Sequence, residues 1–179
     1  CDMNKGIVLA GGYGTRLYPS TKVISKQLLP LYDKPMIYYP ISVLMLANIK
    51  DIMIISDPVN ILFFKKLLGN GDKFGIKFYY EVQEKPNGIA SVFILAENFL
   101  NGAPSVMILG DNMFFGHDLQ KTLELANSQT DGATVFGYHV ADPQRYGVVA
   151  FDRKGLAKKI IEKPTVPPSN YAVTGLYFV

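Results

Sequence analysis

The chain has 179 residues, of which 49% are hydrophobic and 18% charged, and this length and composition predict one globular domain. No apolar run reaches the roughly 18 residues of a membrane-spanning helix, and the first strand begins too early for a signal peptide. A net charge of +3 is too small to indicate nucleic-acid binding. The single cysteine, Cys1, excludes an internal disulfide and agrees with a reducing, cytoplasmic location.

Strand and helix patterns alternate along the first three quarters of the chain. In order, the sequence predicts a strand at 7–10, an irregular segment at 20–27, a helix at 36–49, a strand at 52–55, a helix at 57–68, a strand at 76–82, a helix at 89–100, a strand at 106–109, a helix at 117–129 and a strand at 133–140. Such alternation is typical of an α/β domain, a Rossmann-like, mostly parallel sheet with helices on both faces.

The pattern changes from residue 142 onward. Two short predicted strands at 148–151 and 157–161 flank a charged turn, which indicates a small antiparallel hairpin. A proline-rich loop at 164–168 precedes a last predicted strand at 171–179. Because the chain stops within that strand, we expect its edge to be unpaired.

Glycines and one arginine follow the first predicted strand: Gly11, Gly12, Gly14, Thr15 and Arg16. Glycine permits a close approach of backbone N–H groups to a ligand, and successive N–H groups make an anion-binding concavity. Arg16 adds a planar fork of donors, so the segment predicts a phosphate-binding loop. The dinucleotide fingerprint and the P-loop are both excluded, because neither glycine pattern fits residues 6–17. A plain tight turn is the alternative.

Three charged residues elsewhere are candidate partners of this loop. Asp111 follows the strand at 106–109, so its carboxylate faces the same sheet edge, and carboxylate oxygens suit Mg²⁺. The alternative for Asp111 is a turn residue or helix cap. Lys26 lies in an irregular segment near the glycines, and Lys163 ends a predicted strand, but a solvated surface position is the more common one for such lysines. His117 and His139 have no metal-ligand spacing.

Taken together, these motifs resemble the sugar-nucleotidyltransferases, and within them the glucose-1-phosphate thymidylyltransferases. The segments that carry the resemblance are residues 11–19, 25–30, 33–40, 83–88, 109–112, 142–147, 162–164 and 170–178. They cover nearly the whole chain, and their joint order is more specific than any one of them. The Ser-Lys-Gln triplet at 25–27 also differs from what relatives that use UTP or ATP usually carry.

The resemblance implies a role for each of several residues. Those implied to bind the nucleotide are Gly11, Gly12, Gly14, Thr15, Arg16, Lys26, Gln27, Gln83, Gly88 and Asp111. Those implied to line the site of the sugar and its phosphate are Asn112, Tyr146, Gly147, Glu162, Lys163 and Val173. Arg16, Lys26, Asp111 and Lys163 are the implied catalytic residues, and Asp111 is the implied Mg²⁺ ligand.

The reaction implied is an in-line attack of glucose 1-phosphate on the α-phosphorus of dTTP, which yields dTDP-glucose and pyrophosphate. One domain would then hold a nucleotide-binding part at about 1–140 and the start of a sugar-binding part at about 141–179. The resembling family is longer at its C-terminus, where it supplies a second metal-binding aspartate and contacts for a homo-oligomer. Two alternatives therefore stay open, the use of UTP and nucleotide binding without catalysis.

Overall fold

The computed structural model describes residues 4–11, 25–85, 88–129 and 131–179. Its strands are β1 (Lys5–Leu9), β2 (Pro30–Leu31), β3 (Lys34–Pro35), β4 (Asp51–Ser56), β5 (Lys77–Val82), β6 (Ser105–Leu109), β7 (Thr134–His139), β8 (Gly147–Phe151), β9 (Ala157–Glu162) and β10 (Tyr171–Phe178). Its helices are α1 (Tyr38–Leu46), α2 (Asn60–Leu68), α3 (Ile89–Leu95), α4 (Glu97–Leu100) and α5 (Leu119–Asn127). Among the described helices, none combines the length and the hydropathy needed to cross a bilayer.

Eight of these strands form one mixed sheet in the order β5-β4-β1-β6-β10-β8-β9, with β7 also paired to β10. The four strands β5, β4, β1 and β6 are parallel. β10 runs antiparallel to β6, and β8 and β9 make the antiparallel hairpin. The predicted α/β class and hairpin are thus confirmed. The ribbon of β2 and β3 was not predicted, because two-residue strands leave no periodicity in the sequence.

Helices cover both faces of the sheet, as the alternation predicted. Neighbouring residues of each central strand point to opposite faces, so Ile7 and Val8 enter different clusters. The larger cluster joins strand residues to α1, α2 and α5, and its fully buried side chains include Val8, Ile54, Ile108, Leu44, Phe64 and Leu123. The smaller cluster joins Ile7, Met53 and Met107 to Val92 of α3. Burial of these branched apolar runs on both sides explains their near-continuous hydrophobic sequence.

The expected unpaired edge on the last strand is wrong. Along one side, β10 pairs with β7 from Tyr171 to Phe178. Along its other side, the second half pairs with β6, with Leu176 opposite Ile108, and the first half pairs with β8, with Ala172 opposite Val148. β10 is therefore an interior strand. The β8–β9 hairpin consequently lies beyond the carboxyl end of β6, on the side where the chain leaves that strand.

The helices are shorter than predicted, and two of them differ in a way that has a local cause. The helix predicted at 36–49 begins at Tyr38, and Pro35 before it belongs to β3. Met36 and Ile37 lie between β3 and α1. Their N–H groups donate to the carbonyls of Leu29 and Gln27, which holds them to the preceding turn. The helix predicted at 89–100 is two helices, since the backbone leaves helical geometry at Ala96.

Candidate functional site

The predicted site residues that the structure describes are distributed around the carboxyl edge of the parallel strands. Gln83 follows β5, Gly11 lies two residues after β1, and Asp111 lies two residues after β6. Parallel strands bring their carboxyl ends to one edge, which is where open α/β sheets bind ligands. The hairpin of β8 and β9 overhangs this edge, with its Gly147–Glu162 pair at the end nearer to β6.

Lys26 and Asp111 form an ion pair at this edge. The Nζ atom of Lys26 donates to Oδ2 of Asp111, and their side chains are 26% and 33% exposed. Lys26 begins a short 3₁₀ turn that ends at Leu28, whereas Asp111 immediately follows Gly110 at the end of β6. The two residues that were predicted to handle phosphate and metal are therefore adjacent.

Gln27 is buried beneath this ion pair. Its Nε2 donates to the carbonyl of Gly11 at 3.3 Å, and its Oε1 accepts a hydrogen bond from the hydroxyl of Ser25. A β-carbon at Gly110 would lie 3.2 Å from Cγ of Gln27 and 3.1 Å from Cα of Ala10, so only glycine fits there without displacement. These contacts hold the turn of Lys26 against the ends of β1 and β6.

The same turn is tied to helix α2 by an amide side chain. The N–H of Ser25 donates to Oδ1 of Asn60 at 2.9 Å, and Nδ2 of Asn60 donates to Oδ2 of Asp57 at 2.7 Å. Asp57 also accepts the backbone N–H groups of Val59 and Asn60, both at 3.0 Å, which stabilises the start of the helix. The sequence indicated the helix start but gave no signal for Asn60 as an anchor.

Gln83 is connected to Gly88 through Ser91. Nε2 of Gln83 lies 3.0 Å from Oγ of Ser91, and Oγ of Ser91 lies 2.7 Å from the carbonyl oxygen of Gly88. The backbone N–H of Gln83 donates to the carbonyl of Ser56 at 2.9 Å, so the residue is fixed at both ends. Ser91 was missed by the sequence analysis, although a hydroxyl three residues after Gly88 is a spacing that could have indicated it.

Asn112 packs against a glycine of the neighbouring strand. A β-carbon at Gly175 would overlap Nδ2 of Asn112 and would lie 2.6 Å from Cγ of Leu109. The pairing register of β10 with β7 shifts between Val173 and Tyr177, and this irregularity lies where Asn112 approaches. The glycine at position 175 is therefore required by a close approach of β6 and β10.

Four predicted sugar-site residues lie together at the base of the β8–β9 hairpin. Gly147 is paired with Glu162, and a β-carbon on Gly147 would lie 3.1 Å from Oε2 of Glu162. The N–H of Lys163 donates to the carbonyl of Tyr146 at 2.9 Å. Lys163 has a left-handed backbone (φ 42°), an uncommon conformation for a residue with a side chain. Its Nζ lies 3.7 Å from Oε1 of the exposed Glu162 and not at Asp111.

Burial and the charge of Glu162 both affect the pKa of the phenol of Tyr177 on β10. Burial raises the pKa of Tyr177 above its usual value, and the negative charge of Glu162 raises it further. The carboxylate of Glu162 on the hairpin therefore acts electrostatically on β10. Val173, the remaining predicted sugar-site residue, is half-buried on β10 opposite Gly137 of β7.

Four predicted phosphate-loop residues lie outside the described part of the chain: Gly12, Gly14, Thr15 and Arg16.

Within the described ranges, no group of three or more His, Cys, Asp or Glu side chains is arranged to hold a metal ion. His117 is exposed, and His139 stacks edge-on against Tyr171 with ring centroids 5.6 Å apart. Asp111 is thus a single carboxylate, and its roles and those of the other predicted residues stay predictions.

Comparison with known proteins relates the chain to one family throughout. The family model for nucleotidyl transferases matches residues 5–179. Glucose-1-phosphate thymidylyltransferases from Xanthomonas campestris pv. campestris and Neisseria gonorrhoeae are 58% and 57% identical over 174 residues, and one from Mycobacterium tuberculosis is 49% identical. These alignments cover 97% of this chain and 59–60% of each relative. The chain therefore spans about three fifths of the length of these curated relatives.

Two solved structures share the fold. A candidate glucose-1-phosphate thymidylyltransferase from Bacillus anthracis, in complex with sucrose, superposes with a TM-score of 0.89 at 44% identity, covering 97% of this chain and 70% of that one. A UDP-glucose pyrophosphorylase complexed with UDP-glucose superposes with a TM-score of 0.83 at 27% identity, covering 99% of this chain and 76% of that one. The resemblance inferred from sequence motifs is confirmed by these matches.

Proposed function

This chain belongs to the nucleotidyl transferase family. From that membership we propose that it catalyses the reaction of dTTP with glucose 1-phosphate, which yields dTDP-glucose and pyrophosphate. An oxygen of the sugar phosphate forms a bond to the α-phosphorus, and the bond from that phosphorus to the pyrophosphate oxygen breaks. The electron pair leaves with pyrophosphate, so the reaction requires no covalent enzyme intermediate.

The observation that carries this proposal is the position of the Lys26–Asp111 pair in the strand order. Gln83 and Gly11 lie on the β5–β4–β1 side of Asp111. The residues at the base of the β8–β9 hairpin lie on its other side. A nucleotide on the first side and a sugar phosphate on the second would meet at Asp111 and Lys26. The same division supports a nucleotide-binding part at about 1–140 and a sugar-binding part at about 141–179.

The main physical obstacle to this reaction is repulsion between two polyanions. At about 4 Å and an effective dielectric constant near 20, each pair of like unit charges costs roughly 4 kcal/mol. Lys26 would offset this cost at the α-phosphate, and Lys163 would do so at the phosphate of glucose 1-phosphate. Arg16 would bind the phosphates that leave. Catalysis of phosphoryl and nucleotidyl transfer depends mainly on such positioning and charge stabilisation.

Asp111 has the chemistry of a Mg²⁺ ligand. Its carboxylate is one-third exposed at the sheet edge and already attracts a cationic group, the ammonium of Lys26. One or two carboxylates, completed by substrate phosphates and water, are the usual protein contribution to a Mg²⁺ site. When bound, the ion would supply positive charge to the reacting phosphates. Lys26 would then be released from Asp111 and could contact the α-phosphate.

A second candidate is the same transfer with UTP. The UDP-glucose pyrophosphorylase structure shares this fold at a TM-score of 0.83, so the fold does not distinguish thymine from uracil. The two bases also present the same hydrogen-bonding edge, which leaves the thymine methyl group as the difference to be recognised. The identities of 47–58% with thymidylyltransferases favour dTTP.

The decisive experiment is a pyrophosphate-release assay with glucose 1-phosphate and Mg²⁺ that compares dTTP with UTP. The longer relative from Neisseria gonorrhoeae provides the positive control. Faster turnover with dTTP supports the proposal, whereas a clear preference for UTP supports the second candidate. Dissociation constants of both nucleotides, measured by calorimetry on the same preparation, detect the third outcome, in which the chain binds nucleotide without transferring it.

We also propose a cytoplasmic location, and a homo-oligomer for a chain as long as the curated relatives, since the resembling family has its oligomer contacts in the C-terminal part that these 179 residues do not span. Sedimentation velocity at several concentrations, on the longer relative from Neisseria gonorrhoeae and on the 179-residue chain, measures both oligomeric states. A relative that keeps the monomer mass at every concentration would contradict the oligomer, and an oligomeric 179-residue chain would contradict the placing of its contacts in the C-terminal part.

A further inference from the structure

The hydroxyl of Ser91 stands between the side chain of Gln83 and the backbone of Gly88. Its oxygen is 2.7 Å from the carbonyl oxygen of Gly88, which is the common length of an O–H···O bond. The nitrogen Nε2 of Gln83 is 3.0 Å away on the other side. Ser91 lies in the first turn of α3, and Gln83 lies just after β5, at the carboxyl edge of the sheet.

The number of hydrogens on Ser91 determines which way the amide of Gln83 faces. A serine hydroxyl has one hydrogen, and Ser91 donates it to the carbonyl of Gly88. Ser91 can then only accept from Gln83, and only the NH₂ group of the amide can donate. The carbonyl oxygen of the amide, Oε1, is thereby directed away from Ser91, together with the second hydrogen of Nε2.

We propose that Ser91 is a positioning residue that fixes the amide polarity of Gln83 and so selects nucleotides with an imide edge. The inference rests on the proposed function and on the role that the family resemblance implies for Gln83, which is to bind the base of the nucleotide. An imide edge has an N–H donor beside carbonyl acceptors, as thymine and uracil have. The fixed amide offers an acceptor and a donor that match it. Cytosine has the opposite pattern, an acceptor at N3 beside an amino donor, and the amide would have to turn over to bind it.

Turning the amide over carries a cost while Ser91 is present. The reversed amide would direct Oε1 at the lone pairs of Ser91, or Ser91 would give up its bond to Gly88 in order to donate to Oε1. Either way one hydrogen bond is lost, which corresponds to about a two- to tenfold change in binding. A pyrimidine-binding pocket thus gains base selectivity from a residue that does not itself contact the base.

The test measures the ratio of the dissociation constants of dCTP and dTTP by titration calorimetry, for the 179-residue chain and for Ser91→Ala. We expect the ratio to fall by about two- to tenfold in Ser91→Ala, because the amide of Gln83 can then reverse. Ser91→Thr, which keeps the hydroxyl, should retain the ratio of the original chain. Ser128→Ala is the matched control, because Ser128 makes the same hydroxyl bond to the carbonyl three residues earlier, at 2.8 Å to Leu125, with no glutamine attached.

Failure of this inference can be separated from failure of the proposed function. If the original chain does not prefer dTTP over dCTP, base reading by Gln83 is wrong and the role of Ser91 falls with it. If the original chain prefers dTTP and Ser91→Ala keeps the same ratio, only the role of Ser91 is overturned. An equal loss of affinity for both nucleotides also overturns it. In a Gln83→Ala background, Ser91→Ala should leave the ratio unchanged, and a further fall would show that Ser91 acts by another route.

Discussion

The ammonium of Lys26 and the carboxylate of Asp111 are paired although 85 residues separate them in the sequence. One follows the glycine-rich loop after β1, and the other follows β6, the strand paired with β1. Hydrogen bonds from buried Gln27 and the close approach of Gly110 keep the two chain segments together. The fold thus places a cationic group and a candidate metal ligand in contact.

Replacement of Lys26 by methionine tests the catalytic part of this arrangement. The change retains the unbranched apolar stem and removes the charge, so we expect turnover in pyrophosphate release to fall by about 10²–10³-fold, the usual loss for one transition-state donor. Thermal stability should hardly change, because partly exposed ion pairs contribute about 0–1 kcal/mol. Lys34→Met is the control, since Lys34 pairs with Asp33 at 3.4 Å in an exposed position. Equal turnover in both variants would remove Lys26 from the mechanism.

Replacement of Gly110 by alanine tests the packing beneath the ion pair. The new methyl group would lie 3.1 Å from the carbonyl oxygen of Leu9 and 3.2 Å from Cγ of Gln27. We expect the free energy of unfolding to fall by about 1–3 kcal/mol, the usual cost of overpacking. Urea denaturation measures it. Gly116→Ala is the control, because no atom lies within 4 Å of the added carbon there. Similar stability of the two variants would contradict the close packing at Gly110.

The sequence was sufficient to predict the alternation of the longer strands with helices, because buried parallel strands leave apolar runs such as residues 52–55. It also predicted that Asp111 lies at the sheet edge where β1 ends, and the structure places Gly11 and Asp111 each two residues beyond the paired strands β1 and β6. This followed from a single rule, that parallel strands end at one edge. Predictions of this kind need only the local residue pattern and general rules of sheet topology, so a single sequence is enough to make them.

The placement of β10 could not be obtained in this way. Nothing in a strand's own residues states which strands will flank it, and β10 pairs with β6, β7 and β8 only through long-range packing. The same limit applies to Asn60. Its side chain accepts the N–H of Ser25, 35 residues away in the sequence, and such a bond leaves no period in the sequence.

Tyr80 makes stability depend on pH in the alkaline range. Burial raises the pKa of its phenol from 10.0 to about 12, and the hydroxyl donates to the carbonyl of Gly69 at 2.5 Å. Between pH 10 and 12 the unfolded chain loses this proton while the folded chain keeps it, so the free energy of unfolding falls as the pH rises. Below pH 10 both states keep the proton, and Tyr80 adds no pH dependence.

The measurement for Tyr80 is the melting temperature as a function of pH from 8 to 12. The curve of Tyr80→Phe should be flatter than that of the original chain above pH 10, whatever the difference in level at pH 8. Tyr32→Phe is the control, because Tyr32 is 98% exposed. Parallel curves for the original chain and Tyr80→Phe would show that another group causes the alkaline loss.

Replacement of Gly175 by alanine tests whether the approach of β10 to Asn112 serves the sugar site. The added carbon would overlap the amide of Asn112 and lie 2.6 Å from Cγ of Leu109, so both side chains must move. We expect the free energy of unfolding to fall by about 1–3 kcal/mol. We also expect the KM for glucose 1-phosphate to rise much more than the KM for dTTP, because Gln83 follows β5, which three strands separate from β10 in the sheet. Gly137→Ala on neighbouring β7 is the control, with its nearest contact at an ordinary 3.4 Å. Equal increases in both KM values would indicate a general distortion of the sheet edge, and Asn112 would then have no specific role in binding the sugar.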